Sequence, residues 1–208
     1  AEPVANGARP VLVIHGGAGV IRRGMSPDDE AGVRAALETA LRRGHAELQA
    51  GKPALDAVTA AITVLEDSPY FNAGKGAVFT HEGRNELDAS IMDGATRRAG
   101  AVASVQTVRN PILLARAVMD KSRHGMMVGD GAEAFAKEQG LELVDPSWFR
   151  TEKRWQQLQK ALAEEARAQA SQQPPAPLPG KAYFGSVGSP ARDAQGHLTA
   201  GTSTGRTT

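Results

Sequence analysis

The chain enters its ordered pattern with an apolar β-branched run, Val11-Leu12-Val13-Ile14, that breaks off in His15-Gly16-Gly17-Ala18-Gly19. A run of that length ending in glycines predicts a buried strand entering a turn. Ser26-Pro27-Asp28-Asp29 then offers an N-cap, a proline at the first helical position and early acids, with Val33, Leu37 and Leu41 following at four-residue spacing. An amphipathic helix to about Ala50 follows. Leu55, Val58, Ile62 and Leu65 repeat the spacing behind Pro53 and predict a second helix that stops before Ser68-Pro69.

After Asn72-Ala73-Gly74-Lys75-Gly76 the period shortens. Extended stretches are expected at Ala77 to Thr80, Glu86 to Met92 and Ala99 to Val108, and their succession favours antiparallel pairing. Pro111 to Lys121 and Gly131 to Glu138 read as helices around an apolar strand at Met126 to Val128, and Thr151 to about Ala170 reads as a long polar helix. Grouped helices and strands point to the α+β class. The proline- and glutamine-rich stretch that includes Gln172-Gln173-Pro174-Pro175 suits neither helix nor strand and reads as a linker. The organisation is therefore a tail at 1–9, a core at 10–167, a linker at 168–184 and a short segment at 185–208. Strand-like stretches in that last segment, Phe184 to Val187 and His197 to Ser203, must dock on the preceding core, because so short a piece cannot bury a core of its own.

Composition narrows the function classes. Lys and Arg number 24 against 23 Asp and Glu, and no basic run exceeds two residues, so nothing marks a nucleic-acid or anionic-membrane partner. The apolar runs are far shorter than a membrane span. With no cysteine, disulfides, thiolate nucleophiles and zinc-thiolate sites are excluded. Ala1-Glu2-Pro3 fits what a signal peptidase leaves behind, which would place the protein in the periplasm; a trimmed cytoplasmic chain would begin the same way.

Several motifs compete for the chemistry. Gly201-Thr202-Ser203-Thr204-Gly205 matches the G-x-S-x-G nucleophile elbow, but five residues follow Ser203, none of them acidic or His, where that fold needs a helix and both partners. His15, His45, His81, His124 and His197 are scattered without metal-ligand spacing. Gly185-Ser186 is more informative, because it sets a hydroxyl directly after a glycine at the end of the linker. At such a bond the hydroxyl can attack the preceding carbonyl, pass through an ester and split the chain. The new N-terminal residue then holds a nucleophile beside its own amine, whose pKa of about 7.7 to 8.0 suits a base near neutral pH.

Long ordered blocks carry a resemblance over nearly the whole chain: His15 to Gly19, Leu65 to Phe79, Glu86 to Gly94, Ala99 to Ala103, Arg109 to Ile112, Gly129 to Glu133 and Thr202 to Gly205. In these the sequence resembles the plant-type L-asparaginase and isoaspartyl peptidase family of N-terminal-nucleophile hydrolases. The resemblance implies a four-layer αββα sandwich, here incomplete at the C-terminus, and self-cleavage into α and β chains. It further implies hydrolysis of L-Asn and β-aspartyl dipeptides to L-aspartate. Ser186 falls on the nucleophile position, Thr204 on a second threonine that steadies it, and Asn72 on an active-site asparagine. The backbone carbonyls of Leu65, Glu66, Ser68, Phe71, Ala73 and Lys75 fall on a loop that holds a structural sodium ion, and no cofactor is implied for catalysis. His15 and its glycines are expected on a buried turn near the site. The implied assembly is an αβ heterodimer that pairs into a dimer of αβ units.

The sequence departs from the family at three places. Ser186 stands where the family has threonine, which loses the methyl that restricts χ1. Ser189-Pro190 and Arg192 are expected to interrupt the strand that follows, since proline cannot donate to a ladder. Arg206 replaces a glycine, and the family residues that hold the substrate's α-carboxylate and α-amine and form the oxyanion hole have no counterpart in these 208 residues. Two readings stay open: a self-cleaving amidohydrolase, and a non-catalytic relative that keeps the α-chain core.

Overall fold

The computed structural model describes residues 7–17, 25–170 and 185–206. The expected tail through residue 6, Ala18 and Gly19 of the glycine turn, linker residues 171–184 and the strand start at Phe184 lie outside them.

In chain order the elements are β1 (Val11–Leu12), α1 (Pro27–Gln49), α2 (Ala54–Glu66), β2 (Leu87–Asp93), β3 (Arg98–Val105), α3 (Pro111–Lys121), β4 (Met126–Val128), α4 (Gly129–Glu138), α5 (Glu152–Ala170), β5 (Val187–Arg192) and β6 (Leu198–Gly205). The helices follow their local signals closely. Ser26 Oγ accepts the N–H of Asp29 at 3.1 Å and starts α1, and Pro53 and Pro111 directly precede or open α2 and α3.

The six strands of the described residues form one sheet in the order β1-β5-β6-β2-β3-β4. Every pairing is antiparallel except β3 with β4. The C-terminal hairpin β5-β6 thus occupies the middle of the sheet, between β1 and β2, where it obtains the core it could not build alone. Alternate residues of β6, from Thr199 to Gly205, are buried. A Cβ on Gly201 would lie 2.9 Å from Val58 and Ile62 and 3.3 Å from Ile112, so this face of the sheet rests on α2 and α3. Val58, Ile62, Leu65, Ile112 and Val118 meet Leu87, Ile91, Val102 and Val187 there in one apolar core. The opposite face of the sheet carries Val11, Met92, Met126, Val128 and Leu198, all exposed.

Three expectations fail, each for a reason outside the local pattern. The first strand is a two-residue edge strand, and Val11 and Val13 are 43% and 54% exposed rather than buried, because they point to the open face. Ala77 to Thr80 is buried but is no strand. Its backbone groups are taken by side chains and turns: Val78 N–H donates to Asn72 Oδ1 at 3.0 Å, Asn85 Nδ2 donates to the carbonyls of Ala77 and Val78 at 3.1 and 3.0 Å, and Thr80 N–H donates to the Arg84 carbonyl at 2.8 Å.

Pro190 does not interrupt β5, which runs from Val187 through it to Arg192. The proline carbonyl still accepts Val13 N–H at 3.0 Å. Its missing donor faces β1, and there the hydroxyl of Ser189 donates to the Val13 carbonyl at 3.0 Å instead.

Candidate active site

Gly185 and Ser186 stand immediately before β5, with Ser186 half-buried. Val187 pairs with Ser203, and continuing that register by one residue sets Ser186 opposite Thr204. The turn after β1 reaches the same place. His15 and Gly188 form an antiparallel bridge, each N–H donating to the other's carbonyl at 2.9 and 3.1 Å.

Gly17 follows with φ +93°, and a Cβ built on it would sit 2.2 Å from the carbonyl oxygen of Gly185 and 2.6 Å from its carbon. Only glycine tolerates both the left-handed backbone and that approach. The carbonyl of the Gly185-Ser186 bond is therefore packed against bare backbone. His15 is exposed, contrary to the expected buried turn, because its edge of the sheet faces outward.

Asn72 ties the carbonyl-rich loop to the end of β6. Its Nδ2 donates to the Gly205 carbonyl at 3.1 Å and lies within 3.5 Å of Thr204 Oγ1, while Gly205 N–H donates back to the Asn72 carbonyl at 3.2 Å. With its Oδ1 taken by Val78, the amide is fully engaged and its orientation is set by the network. The structure thus brings Asn72 and Thr204 into contact, and the continued register sets Ser186 opposite Thr204.

Residues 65–75 bend tightly. Gly74, at φ +50°, and Gly76 come so close to the carbonyls of Glu66 and Phe71 that a Cβ on either would lie 2.2 and 2.1 Å from those oxygens. The Ala73 carbonyl accepts the N–H of Gly76 at 3.2 Å, which leaves it a second lone pair, whereas the Leu65 carbonyl accepts N–H groups from both Asp67 and Ser68. Among the described residues no group of three or more His, Asp or Glu is placed to hold a metal, so a cation here would rest on backbone oxygens. Arg154 of α5 braces the loop by donating Nε to the Gly76 carbonyl at 2.8 Å, and burial lowers its pKa to about 10. Lys75 and Arg109 both lie over the Trp148 ring, at 4.4 and 4.8 Å.

The sequence pattern gives no sign of the role of the Glu66 side chain. It is fully buried, and burial pushes its carboxyl up to about 8 despite hydrogen bonds from Ser203 and Ile112. Ser203 Oγ donates to Glu66 Oε1 at 2.6 Å and Ile112 N–H at 2.9 Å, while Oε2 has no partner among the described residues. Ser203, the centre of the G-x-S-x-G match, is thereby committed inside a strand and is not on an elbow. A glutamate ending an apolar helix does not reveal its burial, because that depends on where β6 arrives.

A family model described as asparaginase matches residues 8–208. The chain belongs to the asparaginase family. It is 49% identical over 198 residues to the isoaspartyl peptidase of Salmonella typhimurium (strain LT2), covering 95% of this chain and 63% of that protein. To the isoaspartyl peptidase of Escherichia coli (strain K12) it is 48% identical over 198 residues, covering 95% of this chain and 61% of the relative. A plant-type L-asparaginase of Pyrococcus furiosus is 47% identical over 154 residues, 74% of this chain and 49% of its own. The chain thus spans less than two thirds of the length of these asparaginase-family relatives.

Proposed function

We propose that this asparaginase-family chain carries the self-cleaving centre of an amidohydrolase that acts on L-Asn and β-aspartyl dipeptides. The observation that carries the reading is the packing of Gly17 on the Gly185 carbonyl, with Thr204, itself in contact with Asn72, opposite Ser186 in the continued register. Ser186 Oγ attacks the Gly185 carbonyl carbon, the C–N bond breaks as the ester forms, and the nitrogen takes up the proton. Water then hydrolyses the ester, leaving a carboxyl group on Gly185 and a free hydroxyl and amine on Ser186. In turnover that amine takes the hydroxyl proton while Oγ attacks the substrate's side-chain carbonyl, and it returns the proton to the leaving ammonia or amino acid. A second water releases L-aspartate. Thr204, held by Asn72, orients the nucleophile.

The exposed apolar residues of the sheet's open face support a second sheet stacked upon it, which gives the four-layer αββα arrangement. The loop carbonyls of Leu65, Glu66, Ser68, Phe71, Ala73 and Lys75 are the donors for a structural sodium ion, which takes no part in the chemistry. The tight bend that brings Gly74 and Gly76 against the Glu66 and Phe71 oxygens supports that assignment. The αβ units pair as a dimer.

A denaturing gel with intact-mass analysis after prolonged incubation tests the reading. A break between Gly185 and Ser186 that Ser186→Ala abolishes, with ammonia released from L-Asn, is expected. A permanently intact chain is the result that assigns it to the non-catalytic relatives. Ser186→Thr, which adds the χ1-restricting methyl, is expected to break faster.

A further inference from the structure

The block Glu86 to Gly94 has no part in the chemistry above, yet one of its residues lies beside the reacting row. β2 pairs with β6 so that Asp88 is directly opposite Thr204. With the β5–β6 register continued to set Ser186 opposite Thr204 on the other side, Asp88 on β2, Thr204 on β6 and Ser186 just before β5 fall in one row. Directly opposed residues share a face of the sheet, with Cβ atoms about 4.5–5.5 Å apart.

On its far side Asp88 meets an irregularity. The β2–β3 register jumps between Leu87, paired with Val105, and Ala89, paired with Val102, so Asp88 faces two residues of β3. One of these is Ser104, a non-glycine residue at φ +54°. A serine holds that left-handed backbone only where its surroundings require it. The requirement here is a side-chain acceptor oxygen: Ser104 N–H donates to Asp88 Oδ1 at 2.8 Å. Ser104 Oγ in turn accepts Arg206 Nη1 at 2.6 Å, and Arg206 N–H donates to the Glu86 carbonyl at 2.8 Å. The end of β6 is therefore gripped on one side by Asn72 and on the other by the chain Asp88, Ser104, Arg206.

We propose that Asp88 is a positioning residue of the Gly185-Ser186 centre: by accepting the Ser104 N–H it sets the β2–β3 bulge, and the bulge sets where Thr204 lies against Ser186. This rests on the proposed self-cleavage. Asp88 touches no reacting atom. Without the acceptor, Ser104 relaxes to extended backbone and the β2–β6 row shifts, carrying Thr204 out of line.

The test compares the rate of the Gly185-Ser186 break in the parent chain, Asp88→Ala, Asp88→Asn, and Asp88→Ala combined with Ser104→Gly. Asparagine keeps the acceptor oxygen, and glycine adopts the left-handed backbone unaided. Asp88→Ala is expected to slow the break by about 10- to 100-fold, the scale of a misplacement near 1 Å. Asp88→Asn is expected to stay near the parental rate, and the double variant, which regains the left-handed backbone but loses the Ser104 hydroxyl that accepts Arg206, to recover part of it. A parental rate in Asp88→Ala, or no recovery on adding Ser104→Gly, overturns the proposal.

Should Asp88→Ala fail to fold, Ser104→Val replaces it, since a β-branched side chain opposes the left-handed backbone while Asp88 stays in place. It is expected to slow the break as strongly, and a parental rate overturns the proposal equally. A parent chain that never breaks refutes the functional reading instead. The grip is then judged by amide exchange over residues 202–206, which Asp88→Ala is expected to speed at least about tenfold and Asp88→Asn to leave unchanged. Equal exchange in all variants overturns the grip.

Discussion

Replacing Gly17 by alanine puts a methyl carbon onto the carbonyl of the bond proposed to break. That carbon would lie 2.2 Å from the Gly185 oxygen and 2.6 Å from its carbon, where ordinary contact begins at 3.4 Å. Either the turn or the Gly185-Ser186 peptide must retreat by about 1 Å, and neither obstacle is a flexible side chain that can swing away. Such a displacement of a reacting carbonyl costs about 100-fold in rate, or about 3 kcal/mol of barrier. Alanine at φ +93° adds about 1–2 kcal/mol of backbone strain.

Gly51→Ala separates these two effects. Gly51 has φ +73° and nothing within 4 Å of the added carbon, so it bears the backbone strain without the collision. Timed denaturing gels and intact masses are expected to show Gly51→Ala splitting at the parental rate with a lowered melting temperature. Gly17→Ala is expected to split about 100-fold more slowly. Equal rates in the two variants would refute the steric argument, and with it the claim that the turn after β1 forms part of the centre.

Asn72→Ala is expected to leave the Val78 N–H unpaired and the Gly205 carbonyl held by the Thr204 hydroxyl alone, costing about 1–3 kcal/mol by chemical denaturation and slowing self-cleavage further than that loss explains. The Glu66 carboxyl has a folded pKa raised to about 8 from an ordinary 4.5, so its contribution is fully present below pH 4.5 and is lost as pH rises through 8. In sodium-free buffer the parent is expected to lose stability across that window by about 4–5 kcal/mol, and Glu66→Gln to flatten the profile; an unchanged slope in the variant contradicts the assignment. Ser189→Ala removes the hydroxyl that replaces the proline donor and is expected to cost about 1 kcal/mol, most of it recovered when Pro190→Ala is added; no recovery would show that the hydroxyl does not stand in for an N–H. Exchanging sodium for tetramethylammonium at constant ionic strength is expected to lower the melting temperature, and equal melting in both salts removes the proposed ion.

The helices could be read from the chain because their signals are local: Ser26 caps α1, Pro53 and Pro111 mark the starts of α2 and α3, and the apolar spacing of α2 shows the face that meets the sheet, whereas Leu41, read on the apolar face of α1, is exposed and α1 packs on α2. The family resemblance is what singles out Asn72, in the block from Leu65 to Phe79, and Thr204, in the block from Thr202 to Gly205, and the Gly185-Ser186 bond is what singles out Ser186. Strand character was harder to read, because it depends on which partner reaches which backbone group. Pro190 lies within β5 only because a neighbouring hydroxyl meets Val13, and Ala77 to Thr80 fails as a strand because two asparagines reach its amides first. Long-range packing alone put Gly17 against Gly185, buried the Glu66 carboxyl beneath β6 and set Asp88 in the row of Thr204. Such contacts join residues far apart along the chain, and no period or cap records them, since they exist only once the C-terminal hairpin has entered the centre of the sheet.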